Sequence, residues 1–314
     1  MSDSLVVLLM VLVGVQFAAQ APVNGGLGRT TGPLVAALIS FLVGNVVLLL
    51  IVLGAGQMGN FSSIGDAPLW QLAGGVIGAT YVALAATTIA RIGAGVIAAV
   101  TVTGQLACSV VVDHYGWFGI DVHDVSGLRI LGLLLLLAGA MAMLYSREEA
   151  SSEGGRVRGL RLFASGTDNR ERLVICAVIF LASLAVGIQH PLNSELAGTI
   201  GDLPAGLVNF TVGSFLLAVL VIATGQIGSV LKAKAARPQY FLGGFIGVIV
   251  VVTSLSAVTV IGAAGLTAAL VTGQMVGSLL LDRFGVFGLT RIPVDRVRVA
   301  AAGSLLLGTF LATG

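Results

Sequence analysis

Charge is what this chain has least of. Only 10% of its 314 residues are Asp, Glu, Lys or Arg, against about 25% in an ordinary soluble domain. That is too little to cover a water-facing surface. It excludes a soluble enzyme, a disordered chain and a nucleic-acid binder. The 16 Lys+Arg and 14 Asp+Glu leave a net charge of +2, too small to argue for a polyanion partner. Cysteine is nearly absent. Cys108 and Cys176 sit inside apolar runs and read as small buried hydrophobes with no disulfide. No phosphate-cradling glycine loop is present, so ATP-driven pumping is not expected. The spans also lack convergent acid/base groups, so neither an enzyme nor a cofactor is expected. Asp113-His114 with Asp121, His123 and Asp124 matches no zinc spacing and reads as a polar loop, with no metal site.

What is abundant is apolar sequence. Hydrophobic residues make up 57% and the mean hydropathy is +1.05. A bilayer core about 30 Å thick takes roughly 20 apolar residues per helix. The runs predict an all-α membrane protein of ten transmembrane helices. They lie near 4–22, 33–55, 69–90, 93–112 and 127–146, then 173–190, 203–224, 239–258, 262–281 and 297–313. Leu5–Val15 followed by Ala19-Gln20-Ala21 imitates a signal peptide. Asp3 precedes it and no Lys or Arg does, so it reads as the first span.

The two halves repeat at a fixed offset of 169 residues. Gln20-x-Pro22-x-Asn24-x-x-Leu27 returns as Gln189-x-Pro191-x-Asn193-x-x-Leu196. Phe41 and Gly44 return as Phe210 and Gly213, and Gly56-Gln57 as Gly225-Gln226. Gly74-Gly75-x-x-Gly78 returns as Gly243-Gly244-x-x-Gly247, and Thr103-Gly104-Gln105 as Thr272-Gly273-Gln274. Asp113, Gly116-x-Phe118-Gly119 and Arg129 return as Asp282, Gly285-x-Phe287-Gly288 and Arg298. About a third of aligned positions are identical without a gap. The organisation expected is a five-span repeat over 1–146, a polar cytoplasmic linker over 147–172 and a second repeat over 173–314. Five is odd, so the second copy enters the membrane in the opposite sense. Two five-helix inverted-topology repeats are a secondary-transporter architecture.

Basic residues orient the chain. The side holding both termini carries Arg129 alone. Every other Lys or Arg falls on the opposite side, including Arg147, Arg156, Arg158, Arg161, Arg170 and Arg172 of the linker. Both termini are therefore expected outside and the linker in the cytoplasm. Arg129 needs a reason. Asp113 closes the fourth span and Arg129 opens the fifth on the same face. Each alone is disfavoured by its helix dipole, and together they compensate. Structural ion pairs are expected at Asp113/Arg129 and Asp282/Arg298. On that reading, exchanging Asp113 and Arg129 should restore what either single change loses. The alternative is unrelated solvated loop charges.

Polar residues inside hydrocarbon are candidate sites. Gln105 and Gln274 lie near mid-span behind a glycine, with Thr103 and Thr272 in the same motif. They suit a neutral or zwitterionic polar group, or else act as interhelical glue. Gln20 and Asn24, like Gln189 and Asn193, stack four apart on one helix face. Pro22 frees the carbonyl of Ala18, and Pro191 that of Gly187. Each copy then offers a broken helix end with two amides, as a substrate contact or gate. The alternative is a helix terminus capped by Asn. His190, near Glu195 and Asp202, is a candidate proton sensor, or else an interfacial loop His. Asn45 and Asn209 read equally as pocket lining or interhelical bonds.

These motifs resemble the YdcZ-like inner-membrane exporters of the drug/metabolite transporter superfamily. The resemblance covers both five-span units, fused head to tail, and omits the linker. It implies a bacterial inner-membrane carrier that exports small molecules by a gradient and alternating access. The related small multidrug carriers use an acidic residue in their first helix. Here 4–22 contains none, which departs from that proton-exchange pattern. The partners implied are a small-molecule substrate and the lipid bilayer, with monomer and homodimer both open. A narrow channel for a small ion or neutral solute, and a non-transporting scaffold, are the other readings.

Overall fold

The computed structural model describes residues 2–92, 94–124, 126–151, 169–288, 291 and 294–313. Most of the linker expected over 147–172 lies outside these residues, as does the side chain of Arg91. Among the described residues the chain is helical and no strand occurs. The helices are α1 (Asp3–Phe17), α2 (Gln20–Thr31), α3 (Pro33–Gly54), α4 (Ala73–Ile92), α5 (Ala94–Tyr115) and α6 (Gly127–Ser151). They continue as α7 (Asn169–Ile200), α8 (Asp202–Ala223), α9 (Leu242–Phe284) and α10 (Arg296–Thr313), with short 3-10 turns between several of them.

Seven described segments are long and apolar enough to cross a bilayer, and Gly127–Met143 is a shorter apolar helix. The outward surface is apolar: Leu8 is 56% exposed, Leu50 63%, Phe215 73% and Phe310 71%. Water would penalise such a surface, whereas lipid chains accept it. Among the described residues four charged side chains are buried: Asp113, Arg129, Asp282 and Arg298. Asp113 and Arg298 are both fully buried. The chain is an all-α, multi-pass membrane protein.

Two glycines reverse the chain where a side chain could not. Gly32 (φ 86°, ψ 152°) joins α2 to α3, and Gly201 (φ 91°, ψ 158°) joins α7 to α8. The first and sixth helical segments therefore run past their prolines, not to them. Their expected ends at 22 and 190 are corrected to Thr31 and Ile200. Pro22 costs only the short break between α1 and α2, at Ala18–Ala19, and α7 continues through Pro191. Proline tolerates the first turn of a restarting helix, where its missing N–H is not needed. No helix end forms at Pro191, whereas the helix does break just before Pro22.

Straight, the 43 residues of α9 would run about 65 Å, twice a bilayer core. Gly262 (φ 71°, ψ 173°) breaks it into arms over 242–261 and 263–284. The second arm is the most enclosed segment, with 263–273 buried throughout. α1 packs on it, α5 packs on α7, α6 on α10 and α3 on α8.

These contacts exchange under the 169-residue offset. Gly14 meets Gly273, and their counterparts Ser183 and Gly104 meet each other. Gly277 packs on Val15 and Ala18, while Gly187 packs on Cys108. Phe41 and Phe210, counterparts of one another, have ring centroids 5.2 Å apart. Asn45 donates to its own counterpart Ser214 at 2.6 Å and to Phe210 O at 3.1 Å, and accepts from Thr211 at 2.8 Å. Asn45 is thus an interhelical bond between α3 and α8.

Candidate functional site

The repeated amides lie in two matching seams. Gln20 Nε2 donates to Gly243 O at 3.0 Å. A methyl group at Gly243 would land on Asn24 Oδ1, and one at Gly247 would sit 2.8 Å from Gln20 Nε2. In the other seam a methyl at Gly74 would land on Asn193 Oδ1, and one at Gly78 would sit 2.7 Å from Gln189 Nε2. Each Gly-Gly-x-x-Gly stripe is therefore the floor on which an amide pair rests. Helix spacing puts the two amides on one face, and the missing Cβ atoms let that face reach the opposing backbone. The floors belong to opposite copies: α2 leans on α9, and α7 on α4.

One atom in these seams is costly. Asn24 Oδ1 is buried with no hydrogen-bond partner, facing the Cα hydrogens of Gly243. A C–H contact replaces only part of a lost hydrogen bond. An orphaned buried acceptor costs about 1–3 kcal/mol. Asn209 Oδ1 on α8 is a second such acceptor.

Gln105 and Gln274 lie mid-helix on α5 and α9 and are half-buried. Their glycine neighbours pack closely on the facing helix. A methyl at Gly104 would meet Ser183 Cβ at 2.7 Å, and one at Gly273 would meet the Gly14 Cα at 2.7 Å. No described hydrogen bond joins either glutamine to the seam amides. Thr272 is fully buried and bonds to α10, at Leu305 O (3.2 Å) and Thr309 Oγ1 (2.5 Å). Thr103 bonds its own helix at Ala99 O, 2.8 Å away. His190 is half-buried on α7 beside Pro191. Asp202 accepts from Ser256 of α9.

The corner charges form ion pairs, Arg129 with Asp113 and Arg298 with Asp282, the latter at 2.5 Å. Asp113 does more than the dipole argument asked. It also accepts from the N–H groups of Ala263 (2.6 Å) and Ala264 (3.0 Å). It therefore caps the second arm of α9, across the break at Gly262 and in the other copy. The sequence carries a signal for this: Ile92-Gly93-Ala94 recurs as Ile261-Gly262-Ala263 at the same offset.

One feature has no counterpart in the other half. Trp70, Trp117, Phe118, Gly119 and Glu195 line an open cleft of about 430 Å³. From the sequence, Glu195 reads only as a neighbour of His190. Nothing local links it to two tryptophans elsewhere in the chain.

A family model described as "Putative inner membrane exporter, YdcZ" matches the chain twice, over residues 5–142 and 174–311. No curated protein matches it. A solved crystal structure described only as a protein is 14% identical, with a TM-score of 0.68. The match covers 100% of this chain and 97% of that one. At that identity the likeness shows a shared fold and nothing about activity.

Proposed function

The chain belongs to the YdcZ family of inner-membrane exporters, and from that premise we propose that it is a gradient-driven carrier moving a small molecule by alternating access. The ten helical arms are ten spans in two inverted five-span repeats, 1–146 and 173–314, joined by a cytoplasmic linker. Two observations support the count. The break at Gly262 divides one overlong helix, and the contacts exchange under the 169-residue offset. Fifteen of the 16 basic residues then face the cytoplasm, with both termini outside.

The observation that carries the mechanism is the pair of amide-on-glycine seams. Each joins one copy to the other, and inversion puts them towards opposite faces. A carrier needs one gate at each end. Gln20/Asn24 on Gly243/Gly247 form the inner gate, and Gln189/Asn193 on Gly74/Gly78 the outer. Glycine floors keep such a contact shallow, so an amide can leave its floor for a substrate. The orphaned Asn24 Oδ1 would gain a bond from a substrate donor and lose nothing. Gln105 and Gln274 line the path between the gates.

Transport into proteoliposomes tests this, with a metabolite library screened by counterflow. A substrate should show saturation and trans-stimulation. Asn24→Ala and Asn193→Ala should each lower its exchange by about tenfold, the effect of one lost buried hydrogen bond of about 1.4 kcal/mol. Normal exchange in both variants would refute the gates.

A further inference from the structure

The Trp70–Glu195 cleft is a built site on one end of the molecule only. Trp70 and Phe118 have ring centroids 6.0 Å apart, tilted by 47°. Trp117 stacks on Tyr115 at 5.7 Å. Glu195 reaches in from α7 and lies against Gly119 (φ 66°), where a methyl group would sit 2.5 Å from Oε1. Only a residue without a side chain leaves the carboxylate that room. The ion pairs given above use Arg129 and Arg298. Among the described residues no Lys or Arg pairs with Glu195, so its charge faces the cleft.

The internal repeat supplies a control. The counterparts of Trp70, Trp117 and Glu195 are Gln239, Val286 and Gly26. Both tryptophans and the carboxylate are replaced together. At the opposite end a methyl group on Gly26 would collide with the Tyr240 ring, so that ring fills the equivalent space. Phe118 does not distinguish the ends. Its left-handed backbone (φ 58°) recurs at Phe287 (φ 57°), so it belongs to the corner's fold. The tryptophans and Glu195 belong to this cleft.

A carboxylate among aromatic faces is the chemistry that recognises an organic ammonium. Ring faces attract a cation within about 6 Å of the centroid, and do so best when it is weakly hydrated. The carboxylate supplies the countercharge. The cleft is open, with Trp70 46% and Trp117 48% exposed, so their ring faces are accessible to a small cationic group. We propose that Trp70, Trp117, Phe118 and Glu195 form a recognition site for an ammonium group, carried by a free amine or by a lipid headgroup. The site adjoins the outer gate, since Trp70 leads into Gly74 and Glu195 follows Asn193, but it is read by binding alone and does not depend on transport.

The chain has only two tryptophans, and both line the cleft. Tryptophan emission therefore reads this site alone. The full-length protein in dodecyl maltoside would be titrated with choline and with 3,3-dimethylbutan-1-ol, which has the same shape without the charge. Choline should change the emission saturably and the neutral alcohol should not. Glu195→Gln should weaken choline binding by about tenfold or more, with its thermal unfolding checked in parallel. Nanodiscs separate the two sources. If phosphatidylethanolamine, but not phosphatidylglycerol, competes with choline, the site holds a lipid headgroup. If neither competes, it holds a free amine. Equal responses to choline and the alcohol, no response to either, or unchanged affinity in a folded Glu195→Gln protein would overturn the proposal. Those results would leave the exchange assay, and the gates it tests, untouched.

Discussion

Asp113 holds three partners at once: the Arg129 guanidinium and the amides of Ala263 and Ala264. Their shares are unequal. Without Arg129 the carboxylate keeps two N–H donors and the positive end of a helix. Without Asp113, Arg129 is only 4% exposed and keeps the His123 carbonyl at 3.1 Å. Truncating one member of a buried pair costs about 3–5 kcal/mol. Asp113→Leu should stand at the top of that range and Arg129→Leu below it, measured by thermal unfolding in detergent. The structure also changes the expected outcome of exchanging the two charges. Arginine at 113 would turn donors towards two N–H donors, and aspartate at 129 cannot reach them. The exchange should therefore not restore stability. A full rescue would mean that the cap on α9 contributes nothing.

At the scale of the element, α9 depends on one glycine. Gly262 has a left-handed φ of 71°, and a methyl group there would sit 2.8 Å from Asp113 Oδ2. Gly262→Ala meets both the backbone penalty of a conformation only glycine adopts, about 1–3 kcal/mol, and a displaced cap, about 1 kcal/mol. It should lower the unfolding temperature clearly. Gly303→Ala, with nothing within 4 Å, is the control and should be neutral or slightly stabilising, by up to about 1 kcal/mol. Equal behaviour of the two would remove the break as a structural determinant. The Gly-Gly-x-x-Gly stripes act differently. Their backbone is helical, and what they offer is closeness to an amide on the neighbouring helix.

For the whole molecule, orientation is the exposed proposition. A cysteine placed at Ser151, with Cys108 and Cys176 changed to alanine, should react with an impermeant maleimide in inside-out vesicles and be silent in intact cells. The reverse pattern would turn the protein over and exchange the two gates. It would not disturb the exchange of contacts between the copies, since that relation is internal to the fold.

Much was legible from the chain alone. Apolar length marked where helices lie, low charge marked lipid as the solvent, and the offset of 169 residues marked the duplication. These are one-dimensional quantities: hydrophobic run length, composition and self-similarity need no knowledge of neighbours. The corner ion pairs were within reach as well, because Asp113 and Arg129 flank one short loop. The helix ends near Pro22 and Pro191 were misjudged because proline's local penalty was weighed without the packing that carries a helix beyond it. Three things belonged to tertiary structure. Which helix rests on which follows from glycine seams meeting across copies. Asp113 capping a helix 150 residues away, and Glu195 lining one cleft with Trp70 and Trp117, bring distant segments together. No period or motif encodes such a pairing. It exists only once the helices pack and the buried charge has to find its donors.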